Sequence, residues 1–256
     1  MKDKQSYCEI LSGFEAVSLD EIKELSLMRR FDSKYVLPIQ HLSSFLLQLK
    51  ANYKVLEING ERFFRYDTTY FDSPELRCYM DHQNRRKTRF KIRERLYTVN
   101  GLRFLEVKIK DNKGKTIKQR IPIQDGNITS TEKVAFIKSC VYLDPVMLDK
   151  TVSNAFHRIS LISFETKERI TIDYDLKYSC KNENIFADYY AIVEVKREHE
   201  NQQIPVDSVL KSYRIRPRGF SKYCMSLALL KPNLKQNTFK PNVLHLKRMK
   251  YDQCAS

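Results

Sequence analysis

The sequence predicts an α+β fold in which an antiparallel sheet is covered by helices. Two observations carry this. Several segments alternate polar and apolar residues with the period of two that a strand imposes, while stretches between them repeat apolar residues every three or four positions, as amphipathic helices do. A third observation concerns what the sheet faces: between Thr88 and Arg120, one face of three successive strands is almost wholly cationic.

In the first of these strands, Arg89, Lys91, Arg93 and Arg95 alternate with Phe90, Ile92 and Leu96. A turn at Asn100-Gly101 leads to the second, with Glu106, Lys108 and Lys110 on one side and Leu105, Val107 and Ile109 on the other. The third sets Lys118 and Arg120 against Ile117 and Ile121. Alternation alone also describes an ordinary sheet with its charges in water. Like charges directly opposite one another repel, however, and few acids are placed to pair these. A multivalent anion such as phosphate, polyphosphate or nucleic acid would relieve that repulsion, because Arg offers forked donors and Lys a compact charge.

Composition points the same way. The 256 residues suffice for one large domain with a sizeable core. Lys and Arg number 46 against 31 acids, a formal charge of +15, so an acidic partner is expected. The six cysteines are scattered without a CxxC pair and read as reduced thiols, not as a disulfide framework or zinc site. No run approaches the ~18 apolar residues of a spanning helix, so no membrane insertion is expected and the cytoplasm is the expected location.

Taken in order, residues 14–28 place Leu19, Ile22, Leu25 and Met28 at helical spacing behind a capping box of Ser18 and Glu21. Alternation returns from Arg29 to Pro38, where Arg30, Asp32 and Lys34 share a face of the first sheet strand. Leu42, Phe45, Leu46, Leu49 and Tyr53 mark an amphipathic helix over 41–53. Strand-like segments at 55–58 and 62–70 flank the turn signal Asn59-Gly60. Ser73-Pro74 then opens a helix carrying Leu76, Tyr79 and Met80, and Arg85-Arg86-Lys87 is a solvated approach to the central stretch.

After Arg120, Thr131, Val134, Ile137 and Val141 indicate a helix, and a second short one is expected over 146–153. Strands follow at 160–164 and 167–176, the latter alternating Arg169, Thr171, Asp173 and Asp175 against Ile170, Ile172 and Tyr174. The strand around Glu194-Val195-Lys196 echoes Glu106-Val107-Lys108, again with acid and base on one face. A carboxylate among cations in a phosphate site suits a hard divalent ion, which takes one or two carboxylates together with phosphate oxygens and water. Helices are expected over 205–213 and through Met225, Leu227, Leu229 and Leu230, and from Lys231 a loosely held basic tail.

The pieces Lys34-Tyr35, Tyr70-Phe71-Asp72, Arg93-x-Arg95, Glu106-x-Lys108 with Lys118, Arg169-Ile-Thr-Ile-Asp173, Glu194-x-Lys196 and Phe220-Ser221-Lys222-Tyr223, in this order, resemble a known family. It is the catalytic domain of the vacuolar transporter chaperone (VTC) complex, a polyphosphate polymerase among the triphosphate tunnel metalloenzymes. The resemblance divides the chain into an N-terminal helical segment (1–27), a tunnel domain (28–231) and a basic C-terminal tail (232–256). It implies a closed antiparallel β-tunnel of about eight strands with helices packed outside, an inward-facing alternation that a barrel would produce.

The implied activity is metal-dependent transfer of the γ-phosphoryl group of ATP to a growing polyphosphate chain, with Mn²⁺ or Mg²⁺ as cofactor. By position Arg93, Arg95, Lys108 and Arg169 match bases on the triphosphate, and Glu194 matches the metal ligand. Lys34, Lys118 and Lys222 would guide the chain, joined by Arg120 and Lys196 on the same alternating faces. Two departures stand out: Arg30-x-Asp32-x-Lys34 replaces the ExExK of related enzymes, and Gly219, beside Arg218, stands where the polymerase has a lysine. Alternatives are a triphosphatase in which Glu106 or Asp173 positions water, acting on ATP or inorganic triphosphate, and a non-catalytic polyphosphate-binding module. Nucleic acid is not expected, because no recognition motif accompanies the charge.

Overall fold

In the computed structural model, which describes residues 2–24, 31–124, 131–199 and 202–255, eleven strands join in one sheet and eight α-helices accompany them. The spine is an antiparallel path running β2 (Phe31–Pro38), β11 (Tyr190–Arg197), β9 (Glu168–Cys180), β8 (Asp149–Ser163), β4 (Phe63–Asp72), β5 (Arg89–Tyr97), β6 (Leu102–Lys110) and β7 (Thr116–Pro122). β10 (Glu183–Ala187) pairs with β9, β3 (Lys54–Leu56) pairs with β8, and β1 (Ala16–Val17) runs parallel to β3. The path ends on β2 and β7, which do not pair with each other among the described residues.

The apolar half of each alternating pattern faces helices. Ile159, Leu161, Ile170, Ile172, Val193 and Val195 are fully buried with residues of α1 (Lys2–Ser12), α3 (Leu42–Leu49) and α6 (Pro205–Ser212). Burying each such side chain is worth about 2 kcal/mol. Phe90, Ile92, Leu105 and Val107 belong to a second core with Tyr79 of α4 (Arg77–Gln83), Ile137 of α5 (Thr131–Cys140), Leu227 of α7 (Lys222–Leu230) and Leu246 of α8 (Lys240–Ala255). The polar half of the same strands is thereby left on the opposite face.

Local sequence fixes several joints. The capping box forms at α2 (Leu19–Glu24): the Ser18 amide and hydroxyl donate to Glu21 Oε2 at 2.8 and 2.7 Å, and the Glu21 amide donates back to Ser18 Oγ at 3.3 Å. Gly101, at φ +68°, makes the tight link between β5 and β6 that a side chain would strain. Asp72 is fully buried at the end of β4 and accepts from the amides of Ser73, Cys78 and Tyr79 at 2.8, 2.8 and 3.0 Å, and from the Tyr223 hydroxyl. One carboxylate thus caps α4 and fastens α7.

Several expectations are corrected. The helix expected over 146–153 is a single 3₁₀ turn at Pro145–Met147 followed at once by β8, a strand of 15 residues that absorbs the short strand expected at 160–164. Pro145 favours the turn, and the polar and apolar residues that follow alternate as a strand. The Asn59-Gly60 turn forms, with Ile58 and Glu61 exchanging amide bonds at 2.9 and 3.0 Å, yet β3 and β4 lie along β8 and do not pair with each other. Asp175 leaves the alternation because it sits at positive φ (+54°) where the β8–β9 register shifts, so its side chain is exposed and meets His157 at 3.0 Å. The region expected to be a loose tail contains α8, with Phe239, Val243 and Leu246 buried. β10 was not anticipated. The expected 27/28 boundary, with Leu25, Met28, Arg29 and Arg30, lies outside the described residues. No described helix is long and apolar enough to cross a membrane.

The Asp72 joint is testable. Asp72→Ala would strand three amides and a hydroxyl in the core, and should lower stability by about 3 kcal/mol or more, measured by urea denaturation.

Candidate active site

The polar faces of β2, β5, β6, β7, β8, β9 and β11 converge on one cavity of about 270 Å³. Its wall carries ten Lys and Arg side chains against three acids, so charge is far from balanced there. Of the residues singled out from sequence, Lys34, Arg93, Arg95, Lys108, Lys118, Arg169, Glu194, Lys196 and Lys222 all line it. Arg120 does not. It lies on the exposed edge strand β7 with its guanidinium over the Phe104 ring, 4.5 Å from the centroid.

Three carboxylates organise the cations, each holding two: Glu194 and Asp173 in the wall and Glu106 buried beside it. Glu194 on β11 pairs with Lys34 of β2 and with Lys196 Nζ at 3.1 Å. Asp173 on β9 takes a forked pair from Arg158 of β8, Nε at 2.5 Å and Nη2 at 2.8 Å, and binds Lys222 of α7. Glu106 on β6 accepts from Arg93 Nε of β5 at 2.8 Å and binds Lys118 of β7. Burial by itself would raise all three carboxyls. The cations outweigh it: Glu106 is brought to about 2 by Arg93, Arg95 and Lys118, and Glu194 and Asp173 lie well below the usual carboxylate range.

The remaining cations are unbalanced. Lys91, Arg95, Lys108 and Arg169 line the cavity without a carboxylate ion pair among the described residues. Lys91 faces Lys108 across the β5–β6 register, and Lys108 faces Lys118 across β6–β7. Burial, then like charges, pushes Lys108 down to about 8, and burial does the same to Lys118. Arg95 and Arg169 are also lowered, first by burial and then by neighbouring guanidinium groups.

Sequence reading missed Arg158 and gave no role to Tyr70. Arg158 stacks over Tyr66 and Phe156 and anchors Asp173. The signal was the alternation Asn154, Phe156, Arg158, Ser160, hidden by the misplaced start of β8. Burial would push the Tyr70 phenol up, but Arg93, Arg95 and Lys222 bring it below its ordinary value, and Arg93 hydrogen-bonds to it. Arg218 does not stand in for Gly219: its side chain turns to Asn242 of α8 at 3.3 Å and its amide donates to the Lys34 carbonyl at 2.8 Å.

No group of three or more His, Cys, Asp or Glu side chains that could hold a metal occurs among the described residues. Glu194 has an acidic neighbour on β2 in Asp32, and both line the cavity. Glu194 is already bonded to two ammonium groups. This donor set suits a divalent ion that arrives on phosphate and takes only one or two protein oxygens, not an ion held by a protein cage.

The VTC domain profile matches residues 29–231. A search of curated proteins found no match. Similar solved structures include a candidate adenylate cyclase from Vibrio parahaemolyticus, 10% identical, with 78% of this chain and 97% of that chain covered at a TM-score of 0.48. A Bacillus halodurans protein of the same description is 12% identical, covering 76% and 96%, with a TM-score of 0.48. A Hippeastrum protein described as having a dominant triphosphatase activity is 13% identical, covering 78% and 96%, also at 0.48.

The depressed lysines give a pH signature. Their folded pKa values near 8 lie below the ordinary 10.5, so between those values the unfolded chain binds more protons, and stability of the ligand-free protein rises with pH. Thermal unfolding followed from pH 8 upward should show this rise, and Lys108→Met with Lys118→Met should flatten it.

Proposed function

The chain belongs to the VTC domain family, and from that premise we propose that it is a polyphosphate polymerase, transferring the γ-phosphoryl group of ATP to a growing polyphosphate chain. The observation that carries this reading is the cavity wall, ten bases against three acids, with every one of the four bases that the family resemblance assigns to triphosphate present in it. We read the cavity as a tunnel: β2 and β11 from one end of the sheet path and β6 and β7 from the other contribute to the same wall.

In this reading Arg93, Arg95, Lys108 and Arg169 hold the triphosphate, and Lys34, Lys118, Lys196 and Lys222 line the way for the chain. Phosphoryl transfer needs alignment and charge neutralisation above all. A terminal oxygen of the chain attacks the γ-phosphorus, and the β–γ bridging oxygen leaves with ADP. The attacking group is already an anion, so no base has to take a proton from it. Glu194, with Asp32 near, would hold a divalent ion, Mn²⁺ or Mg²⁺, whose contribution is to neutralise phosphate charge.

The same electrostatics weigh against hydrolysis. Glu106 and Asp173, the acids that could activate water, are each bound to two cations and held far below neutral pH, which makes them weak bases. The six cysteines are unpaired, as a cytoplasmic enzyme would have them.

Incubating the purified chain with ATP and Mn²⁺ should yield long polyphosphate on a gel with little free phosphate. Release of phosphate alone would reassign the protein as a triphosphatase, and neither product would leave it a binder. Glu194→Gln should cut turnover by about tenfold or more and weaken its metal dependence, and because Lys34 and Lys196 lose their counter-charge it should also lower the melting temperature while leaving the fold intact. Arg93→Ala with Arg95→Ala should abolish the thermal stabilisation given by tripolyphosphate.

A further inference from the structure

The ion-pair pattern within the sheet is lopsided. Toward Arg93 the β5–β6 face contains Glu106, but in the other direction the register sets Lys91 opposite Lys108 and then Arg89 opposite Lys110. None of these four bases has a carboxylate ion pair among the described residues. Like charges directly opposite on neighbouring strands destabilise a sheet, and here two such pairs follow one another. His82 of α4, beside them, is driven to about 2 by burial and by Lys91, Arg89 and Lys108, so its imidazole stays neutral. Burial also lowers Lys91.

The line of bases does not stop at the cavity. Lys91 and Lys108 line it. Arg89 and Lys110 lie one strand step of two residues further on, about 6.6 Å away at the usual rise. Beyond them the chain presents Arg85, Arg86 and Lys87, all exposed. A flexible polyanion seated at Lys91 and Lys108 therefore meets Arg89 and Lys110 next, and Arg89 is tied to the exposed segment beyond by donating to the Arg86 carbonyl at 2.8 Å. Its inner end lies among charged walls in a confined cavity. A chain bearing a sugar and base on each phosphate would have to pack those groups there, whereas an unbranched inorganic chain would not.

We propose that Arg89 and Lys110, continued by Arg86 and Lys87, form a binding track for the part of an inorganic polyphosphate chain that extends out of the cavity. The assignment rests on the polymerase reading and adds the direction in which the chain leaves, past the start of β5 and the end of β6. The track would contribute mainly to long chains, because Arg89 and Lys110 lie a strand step outside Lys108, the nearest of the bases assigned to triphosphate.

The test compares tripolyphosphate with long-chain polyphosphate, by calorimetry on the full chain at several salt concentrations. Arg89→Ala with Lys110→Ala should weaken long-chain binding about tenfold and reduce its salt slope, as loss of phosphate contacts does, while tripolyphosphate affinity stays within about twofold. Arg86→Ala with Lys87→Ala, at exposed positions that cannot disturb the core, should have the same sense and a smaller size. Unchanged long-chain affinity in both variants would overturn the track, and so would equal losses for both ligands. A single-stranded RNA that binds the wild type as tightly as polyphosphate and is released by these substitutions would overturn it in favour of a nucleic-acid surface. Absence of tripolyphosphate binding in the wild type would instead overturn the reading of the cavity itself.

Discussion

A buried base beside another base is unstable unless an acid or a ligand sits between them, and the interior of this sheet is arranged around that constraint. Each of the three paired acids bridges neighbouring elements. Glu106 on β6 reaches Arg93 on β5 and Lys118 on β7. Asp173 on β9 reaches Arg158 on β8 and Lys222 on α7. Glu194 on β11 reaches Lys34 on β2. The pairs therefore fasten the seams of the sheet beside the cavity, and the bases they hold also line it. Removing one acid would leave two buried cations without a counter-charge, a larger disturbance than removing either base.

Residues at the end of β4 and the start of α7 hold these groups in place. In Tyr70-Phe71-Asp72 the three side chains divide the labour: Tyr70 lines the cavity, Phe71 is buried in the core, and Asp72 binds α4 and the Tyr223 hydroxyl. A register shift between Tyr70 and Phe71 lets consecutive residues serve these different directions. Because Tyr223 follows Lys222, and Ser221 caps the same helix by accepting from the Cys224 amide at 3.3 Å, the position of Lys222 against Asp173 is set by bonds on both sides of it.

Much of this was legible in the sequence where a strand keeps strict alternation. Arg93, Arg95, Lys108, Lys118 and Glu194 fall in the cavity because β5, β6, β7 and β11 run without interruption through those residues, so a period of two translates directly into a face. The reading failed where a bulge or a turn breaks the period. Asp175 was placed inside because its left-handed backbone is invisible in a letter pattern, and Arg158 was lost because the strand was expected to begin only at 160, after a helix over 146–153. Arg120 has the right parity, yet β7 is an edge strand and the Phe104 ring offers its guanidinium an alternative to the cavity. The tail was misjudged because its polar composition conceals a sparse stripe, Phe239, Val243 and Leu246, that suffices to dock α8.

The acids within the wall also bear on which chemistry such a cavity can favour. A carboxylate that accepts bonds from two cations is stabilised as the anion, and the same stabilisation removes its tendency to take a proton from water. Bases that lack a partner have the opposite property: burial and mutual repulsion lower their affinity for protons, as at Lys91 and Lys108, until a polyanion arrives and raises it. A bound chain of phosphates would therefore relieve the repulsion between these bases, whereas water gains no activated partner from the wall. A wall built this way suits charge distributed over several phosphates at once, and that is the requirement the proposed phosphate-to-phosphate transfer would place on it.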